Sequence, residues 1–273
     1  MHSADVPAEM NSALDYAVSR RDAGVLAMVR RAIEYREVLL AFQPVVQAQA
    51  PDKVAFYEGL VRVLDETGRV IPARDFIHEV ETTELGRQLD CIALQKGLSE
   101  LRREPSLRLS INMSARSIGY SKWRETLEQG LDADPTVGER LILEVTEHSA
   151  IIVPELLIDF MNATQCRGVS FAMDDFGSGY TALRHFKDFY FDLLKIDGQF
   201  TRDIARDPDN QVLVAAIVSI ADQFDMFTVA ESVESHEDAI VLRELGLTCL
   251  QGFHYGAPRV TPPWRESEAL QTA

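Results

Sequence analysis

Two adjacent carboxylates, Asp174 and Asp175, close the apolar run Val169–Met173 and open onto the glycine-bearing stretch Phe176-Gly177-Ser178-Gly179. Ionised neighbours of this kind repel one another and lose hydration when a strand end buries them, so a cation or a hydrogen-bond network must offset the charge. Solvated acids, or caps on a following helix, would show the same dipeptide, and the pair gains meaning only from its company. Glu58 lies within Val54–Val63, Asn112 interrupts Leu107–Met113, and Glu144 sits inside Leu141–Val145. Lys195 sits inside Phe191–Ile196, Glu231 follows Met226–Ala230, and Gln251 lies within Thr248–Phe253. An ion pair or a bulge accounts for one such group taken singly. Repetition over successive apolar runs points instead to hard divalent cations, which prefer an all-oxygen shell of carboxylate and amide ligands.

Those groups need elements to bring them together. Eight β-type runs can be read, the six just given with Val169–Met173 and Leu40–Val46. Between them lie amphipathic helical patterns at Leu85–Arg103, Trp123–Leu131, Pro154–Cys166, Asn210–Phe224 and His236–Leu245. Most runs are almost continuously apolar, as in a parallel sheet covered on both faces. Eight such units in 273 residues fit an irregular α/β (β/α)8 TIM-type barrel better than an open doubly wound sheet. The first two runs lack a helix between them, which predicts a hairpin-like start. In a barrel the strand C-termini carry the chemistry, and there the polar residues fall. Ahead of it, Ala23–Tyr35, with Leu26, Met28, Val29 and Ile33, reads as a helix packed on the barrel, or alternatively as a helix binding a regulatory protein partner. The expected division is 1–36 as helical extension, 37–262 as barrel domain and 263–273 as tail.

Composition narrows the class. The chain is 46% hydrophobic and 26% charged, an ordinary globular balance, and its net charge of -16 with no Lys/Arg-rich face argues against DNA or RNA as partner. A phosphate-bearing small ligand would need metal ions here. No run reaches the roughly 18 to 20 apolar residues of a membrane span, and Asp5 and Glu9 stand where a secretion signal would be apolar; no membrane partner and a cytoplasmic location are expected. Cys91, Cys166 and Cys249 lack metal-site spacing and read as buried reduced thiols.

At this point the motifs carry a resemblance. Phe42-Gln43-Pro44-Val45-Val46, Glu58-Gly59-Leu60-Val61-Arg62, Ile111-Asn112-Met113-Ser114, Glu144-Val145-Thr146-Glu147, Asp174-Asp175-Phe176-Gly177-Ser178-Gly179-Tyr180, Leu194-Lys195-Ile196-Asp197, Ala230-Glu231-Ser232-Val233-Glu234 and Gln251-Gly252-Phe253 stand in order. From about Glu37 to Arg259 the chain resembles the EAL-domain family of cyclic-di-GMP-specific phosphodiesterases, bacterial signalling enzymes with an irregular barrel. The resemblance implies two Mg2+ or Mn2+ ions, the first on Glu58, Asn112, Glu144 and Asp174, the second on Asp175 with Asp174 shared and Glu231 helping. It implies catalytic roles for Lys195, Glu231 and Glu58, and hydrolysis of cyclic di-GMP to linear pGpG. Gln43, Arg62, Gln251 and Pro258 match substrate-contacting positions, and Glu147 matches a glutamate bracing the loop after the aspartate pair. A homodimer is implied as well, for which Phe186, Phe189, Tyr190 and Phe191 could supply a face, or could equally be core.

Departures from the family pattern bear on turnover. Gly59 replaces the alanine of the name-giving triplet, Val63 an aromatic residue, Ser232 a glycine, Gly198-Gln199 a basic-Ser pair, and Ala257 a basic residue. A hydrolase is the first reading. A catalytically weak or inactive cyclic-di-GMP receptor acting through a protein partner is the second, and an interaction protein without nucleotide binding the third.

Overall fold

The structure is a computed structural model that describes residues 13–177 and 188–265, with side chains from residue 21 onward. Ser178, Gly179, Tyr180 and Phe186, named above, lie outside the described residues. The chain divides into two compact units, one of residues up to Leu39 with Val61–Leu89, the other of Leu40–Leu60 with Asp90 onward.

The larger unit is the barrel. Its strands are β1 (Val38–Gln47) from Leu40 on, β2 (Ala50–Leu64) as far as Leu60, β4 (Leu109–Asn112), β5 (Leu141–Thr146), β6 (Ser170–Phe176), β7 (Leu193–Ile196), β8 (Phe227–Ala230) and β9 (Cys249–Gln251). A short β3 (Val70–Pro72) belongs to the smaller unit. The barrel order is β1-β9-β8-β7-β6-β5-β4-β2, and β2 pairs back onto β1 to close the sheet. From β2 to β9 the pairings are parallel, whereas β1 runs antiparallel to β9. That reversal follows from the two-residue turn Ala48–Gln49 joining β1 to β2 where the other strands are joined by helices.

Helices α3 (Glu84–Arg103), α4 (Ser121–Ala133), α6 (Pro154–Gln165), α8 (Pro208–Gln223) and α9 (His236–Glu244) answer the five amphipathic patterns. Their starts carry recognisable signals. Asp207 accepts from the amides of Asp209 and Asn210 with Pro208 at the first helical position, and Ser235 accepts from Asp238 N. The buried faces of α8 and α9 supply Val214, Val218, Ala239 and Leu242 to a core shared with Ile196, Val233 and Leu250. Across the barrel, Trp123 of α4, Phe160 of α6 and Phe171 of β6 pack edge to face with centroids 5.6 and 5.8 Å apart. Phe189 and Phe191 are buried with centroids 5.5 Å apart, while Tyr190 is exposed. Cys91 and Cys249 are buried as expected, and burial pushes the Cys249 thiol up to about 11; Cys166, expected buried, is exposed on the C-terminus of α6.

Within the smaller unit, α1 (Ala13–Glu34) buries Val29 and Ala32, and Arg31 pairs with Glu37 at 2.8 Å. The hairpin from Val61–Leu64 to β3 turns at Asp65–Arg69, where Asp65 Oδ1 accepts from Thr67 N and Arg69 N, and Gly68 adopts a φ of 80°. The short helix α2 (Ile77–Val80) follows. Among the described residues no helix is long and apolar enough to cross a membrane.

Candidate metal centre

Side chains on a strand alternate between its two faces, so every second residue enters the lumen. Val45, Phe56, Ile142, Ala172, Leu193, Val229 and Cys249 form one apolar cluster there. Two residues further along β2, β5, β6, β7, β8 and β9 stand Glu58, Glu144, Asp174, Lys195, Glu231 and Gln251, and on the reversed β1 two residues back stands Gln43. The polar layer is therefore the next turn of the same alternation.

Lys195 is its hub. Its Nζ donates to Glu144 Oε2 at 2.8 Å and lies 2.7 Å from Glu231 Oε1, 3.0 Å from Asp174 Oδ1 and 3.4 Å from Glu58 Oε2. Glu58 is held from its other side, Oε1 accepting from Asn112 Nδ2 at 2.9 Å and Oε2 from Gln251 Nε2 at 2.5 Å. Gln251 Nε2 also reaches Gln43 Oε1 at 3.3 Å, and Gln43 Nε2 donates to Gly256 O at 3.1 Å. This relay ties Glu58 to the segment carrying Pro258, which Phe42 and Arg259 fasten to β1 by reciprocal backbone hydrogen bonds. The lysine and the glutamates at 58 and 144 are almost inaccessible, whereas Asp175 and Glu231 are only partly buried.

Two successive residues of a regular strand point to opposite faces, yet both aspartates reach the site. Met173 pairs with Leu194 and Phe176 with Ile196, so Asp174 and Asp175 together oppose the single residue Lys195. This β-bulge, with Asp175 at a φ of 55°, re-aims the second carboxylate. Oxygens of Asp174, Asp175 and Glu231 consequently lie within 4.8 Å of one another.

Electrostatics bear on whether cations fit. Burial, then the charge of Glu58, drives the Glu144 carboxyl well above its ordinary range; burial opposed by Lys195 leaves Glu231 at about 8, and burial with Asp174 leaves Asp175 at about 6. Burial also opposes ionisation of Glu58, but Lys195 and the amides of Gln251 and Asn112 outweigh it and its pKa falls. Lys195 is desolvated as well, but Asp174, Glu144, Glu231 and Glu58 hold it well above its ordinary value. Ionising Glu58, Glu144, Asp174 and Glu231 around the single ammonium of Lys195, with Asp175 beside them, therefore calls for further positive charge, which divalent cations would supply. Glu144 Oε1 is buried without a hydrogen-bond partner, and Asp174 Oδ1, though close to Lys195 Nζ, lies off hydrogen-bonding geometry. Orphaned carboxylate oxygens in an oxygen-only donor set suit a hard divalent cation.

The remaining expected residues lie elsewhere. Arg62 belongs to the smaller unit, where its Nη1 donates to Val61 O. Glu147 opens the short α5 (Glu147–Ile152), and its Oε2 accepts from Gly177 N at 3.1 Å. Sequence reasoning noted Gly198-Gln199 as a departure from the family pattern but not the contacts of the turn α7 (Gly198–Thr201): Gln199 Nε2 donates to Gly177 O at 2.8 Å and the Thr201 hydroxyl donates to Glu231 O.

Two departures from the family pattern have packing causes. A methyl group on residue 59 would stand 2.7 Å from Ile111 Cδ1, and one on residue 97 would stand 2.8 Å from the same atom, so Ile111 fills the space that both glycines leave. Ser232 adopts a φ of 55°, and a methyl group on residue 198 would lie 2.5 Å from its Oγ. Gly198 and Ser232 are thus a matched pair.

The EAL domain family matches over residues 26–258. The cyclic di-GMP phosphodiesterase PdeB of Shewanella oneidensis is 28% identical over 235 residues, which cover 85% of this chain and 28% of PdeB. The cyclic di-GMP phosphodiesterase PdeR of Escherichia coli is 30% identical over 234 residues, covering 84% of this chain and 35% of PdeR. The chain therefore spans roughly a third of the length of these relatives. A solved structure of the PaMucR phosphodiesterase in complex with c-di-GMP superposes with a TM-score of 0.80 at 28% identity, covering 89% of this chain and 99% of that one.

Proposed function

Because the chain belongs to the EAL domain family, we propose that it is a metal-dependent phosphodiesterase that hydrolyses cyclic di-GMP to linear pGpG. The observation that carries this reading is the ring of carboxylates around Lys195, in which Glu144 and Asp174 each keep a buried oxygen without a hydrogen-bond partner. In this reading Glu58, Asn112, Glu144 and Asp174 hold one Mg2+ or Mn2+, and Asp175, the shared Asp174 and Glu231 hold a second. Bound there, two such ions lower the pKa of a water molecule and neutralise charge that develops on the phosphoryl oxygens. Lys195, kept as an ammonium by its neighbours, orients the attacking water with Nζ and holds a positive charge beside the phosphoryl group. Glu231 and Glu58 fix that ammonium. Water adds to phosphorus, the P–O3′ bond breaks, and the proton ends on the released 3′-hydroxyl. Gln43, Gln251, Pro258 and Arg62 are assigned to the nucleotide, Arg62 because a guanidinium fork suits phosphate or a guanine edge.

The packing cause found for Gly59 favours the hydrolase over the receptor, since residue 59 faces Ile111 and alternates away from the lumen that Glu58 enters. We retain as part of the proposal the division at residues 36 and 262, Glu147 as brace of the loop after Asp175, and a homodimer. Incubating the protein with cyclic di-GMP and Mg2+ or Mn2+, with and without chelator and beside Glu58→Ala, tests the reading by chromatography of products. Metal-dependent pGpG that vanishes in the variant supports it. Binding of the dinucleotide without any product would instead establish the receptor.

A further inference from the structure

The two halves of the proposed metal site are supported differently. Glu58 and Glu144 project from regular strand positions, whereas Asp175 and Glu231 stand where the backbone leaves regular geometry: Asp175 has a φ of 55°, and so has Ser232 directly after Glu231. Non-glycine residues persist in this conformation only where neighbours over-determine it. Each residue of α7 meets one of these two irregular segments. Gly198 leaves the space that the Ser232 side chain fills, and Gln199 Nε2 donates to Gly177 O at 2.8 Å. The Phe200 ring lies where a side chain on Gly177 would be, 2.4 Å from that position, and fully buried Thr201 donates its hydroxyl to Glu231 O. Asp197 anchors the turn, its side chain accepting from Gln199 N at 2.8 Å and its own N–H donating to Phe176 O at 3.3 Å.

We propose that Gly198–Thr201 is a positioning brace that sets the Asp175 and Glu231 carboxylates together, and thereby tunes the second cation site while leaving the Glu58–Asn112–Glu144 side untouched. The inference rests on the two-ion reading above, and its test separates the two. Gln199→Leu removes the donor to Gly177, Thr201→Val removes the hydroxyl at nearly constant volume, and Thr201→Ser restores it. Hydrogen exchange on the metal-free full chain should show faster exchange at residues 174–177 in Gln199→Leu and at 230–233 in Thr201→Val, with Thr201→Ser like the parent. Mn2+ titration by calorimetry should show two binding events in the parent, with one weakened about tenfold or more in either variant and the other unchanged, the range seen when outer partners of metal ligands are removed. Unchanged exchange at both segments overturns the brace whatever the metal does. Equal weakening of both binding events overturns its selectivity. Faster exchange in the variants, together with a parent that binds no Mn2+, supports the brace and sinks the metal reading alone.

Discussion

Two layers of side chains share the barrel lumen, two residues apart on the same strands, and their chemistry is opposite. In the lower layer Val45, Phe56, Ile142, Ala172, Leu193, Val229 and Cys249 pack on one another. Fully burying a side chain of Leu or Phe size contributes about 1.5–3 kcal/mol, so this layer favours the fold. In the upper layer four carboxylates crowd one ammonium, and burial holds Glu144 and Glu231 against ionisation. That layer opposes the fold unless cations join it. The contrast teaches that one sheet can separate stability from chemistry merely by strand alternation.

The sharpest way to break the comparison is to delete one residue from each layer. Glu58→Ala is expected to lower turnover about a thousand-fold or more, equivalent to about 4 kcal/mol of transition-state stabilisation, with the fold retained by circular dichroism. Phe56→Ala, one alternation below, should cost about 3–5 kcal/mol in urea unfolding while leaving kcat of the folded fraction within about tenfold. A reversal of the two phenotypes would end the layer description.

Lys195→Met tests whether the upper layer is held by its internal cation. Removing one member of a buried charge cluster typically costs about 3–5 kcal/mol, and the metal-free variant should unfold correspondingly earlier. Added Mg2+ should close most of that gap in Tm. A variant as stable as the parent in chelator would show that the carboxylates are protonated there and need no ammonium.

A smaller effect is expected at the matched pair beside the site. Gly198→Ala should destabilise because its methyl group meets the Ser232 side chain, and Ser232→Gly in the same chain should recover most of the loss. The coupling expected from a double-mutant cycle is about 1–3 kcal/mol, and additivity would refute the pairing.

The smallest effect concerns a carboxylate outside the lumen. Asp90 Oδ2 accepts from Ser114 N at 3.0 Å and Ser117 Oγ at 2.6 Å, yet burial outweighs both and raises its pKa to about 6. A carboxyl whose folded pKa is raised favours the fold at low pH and loses that contribution as pH rises through the folded value. Asp90→Asn keeps an acceptor and removes the titration. Its stability relative to the parent should therefore improve between pH 4.5 and pH 8, by about 1 kcal/mol after allowing for partial exposure. A pH-independent difference would exclude Asp90 as the source.

Much of the fold was legible because buried parallel strands announce themselves as apolar runs, and because a helix-free first connection can only be a hairpin. The polar interruptions at Glu58, Glu144 and Lys195 were legible for the same reason: a charge inside an apolar run is conspicuous. Asp65–Arg69 and β3 were passed over, since a three-residue strand carries too little pattern to read. Gly198-Gln199 was legible only as a departure from the family pattern, because the significance of α7 lies in contacts with Gly177, Glu231 and Ser232 rather than in its own periodicity.

By itself the sequence determined which barrel strands exist and which of their residues are charged, and alternation sets Glu58, Glu144, Asp174 and Lys195 on one face. Only the tertiary structure decided that Asp174 and Asp175 oppose one lysine through a bulge, that Lys195 meets four carboxylates at once, and that Gly59 and Gly198 answer Ile111 and Ser232. The physical reason is range. Hydrophobic alternation is a property of neighbours along the chain, whereas register, close packing and charge balance depend on residues that only the closed barrel brings together.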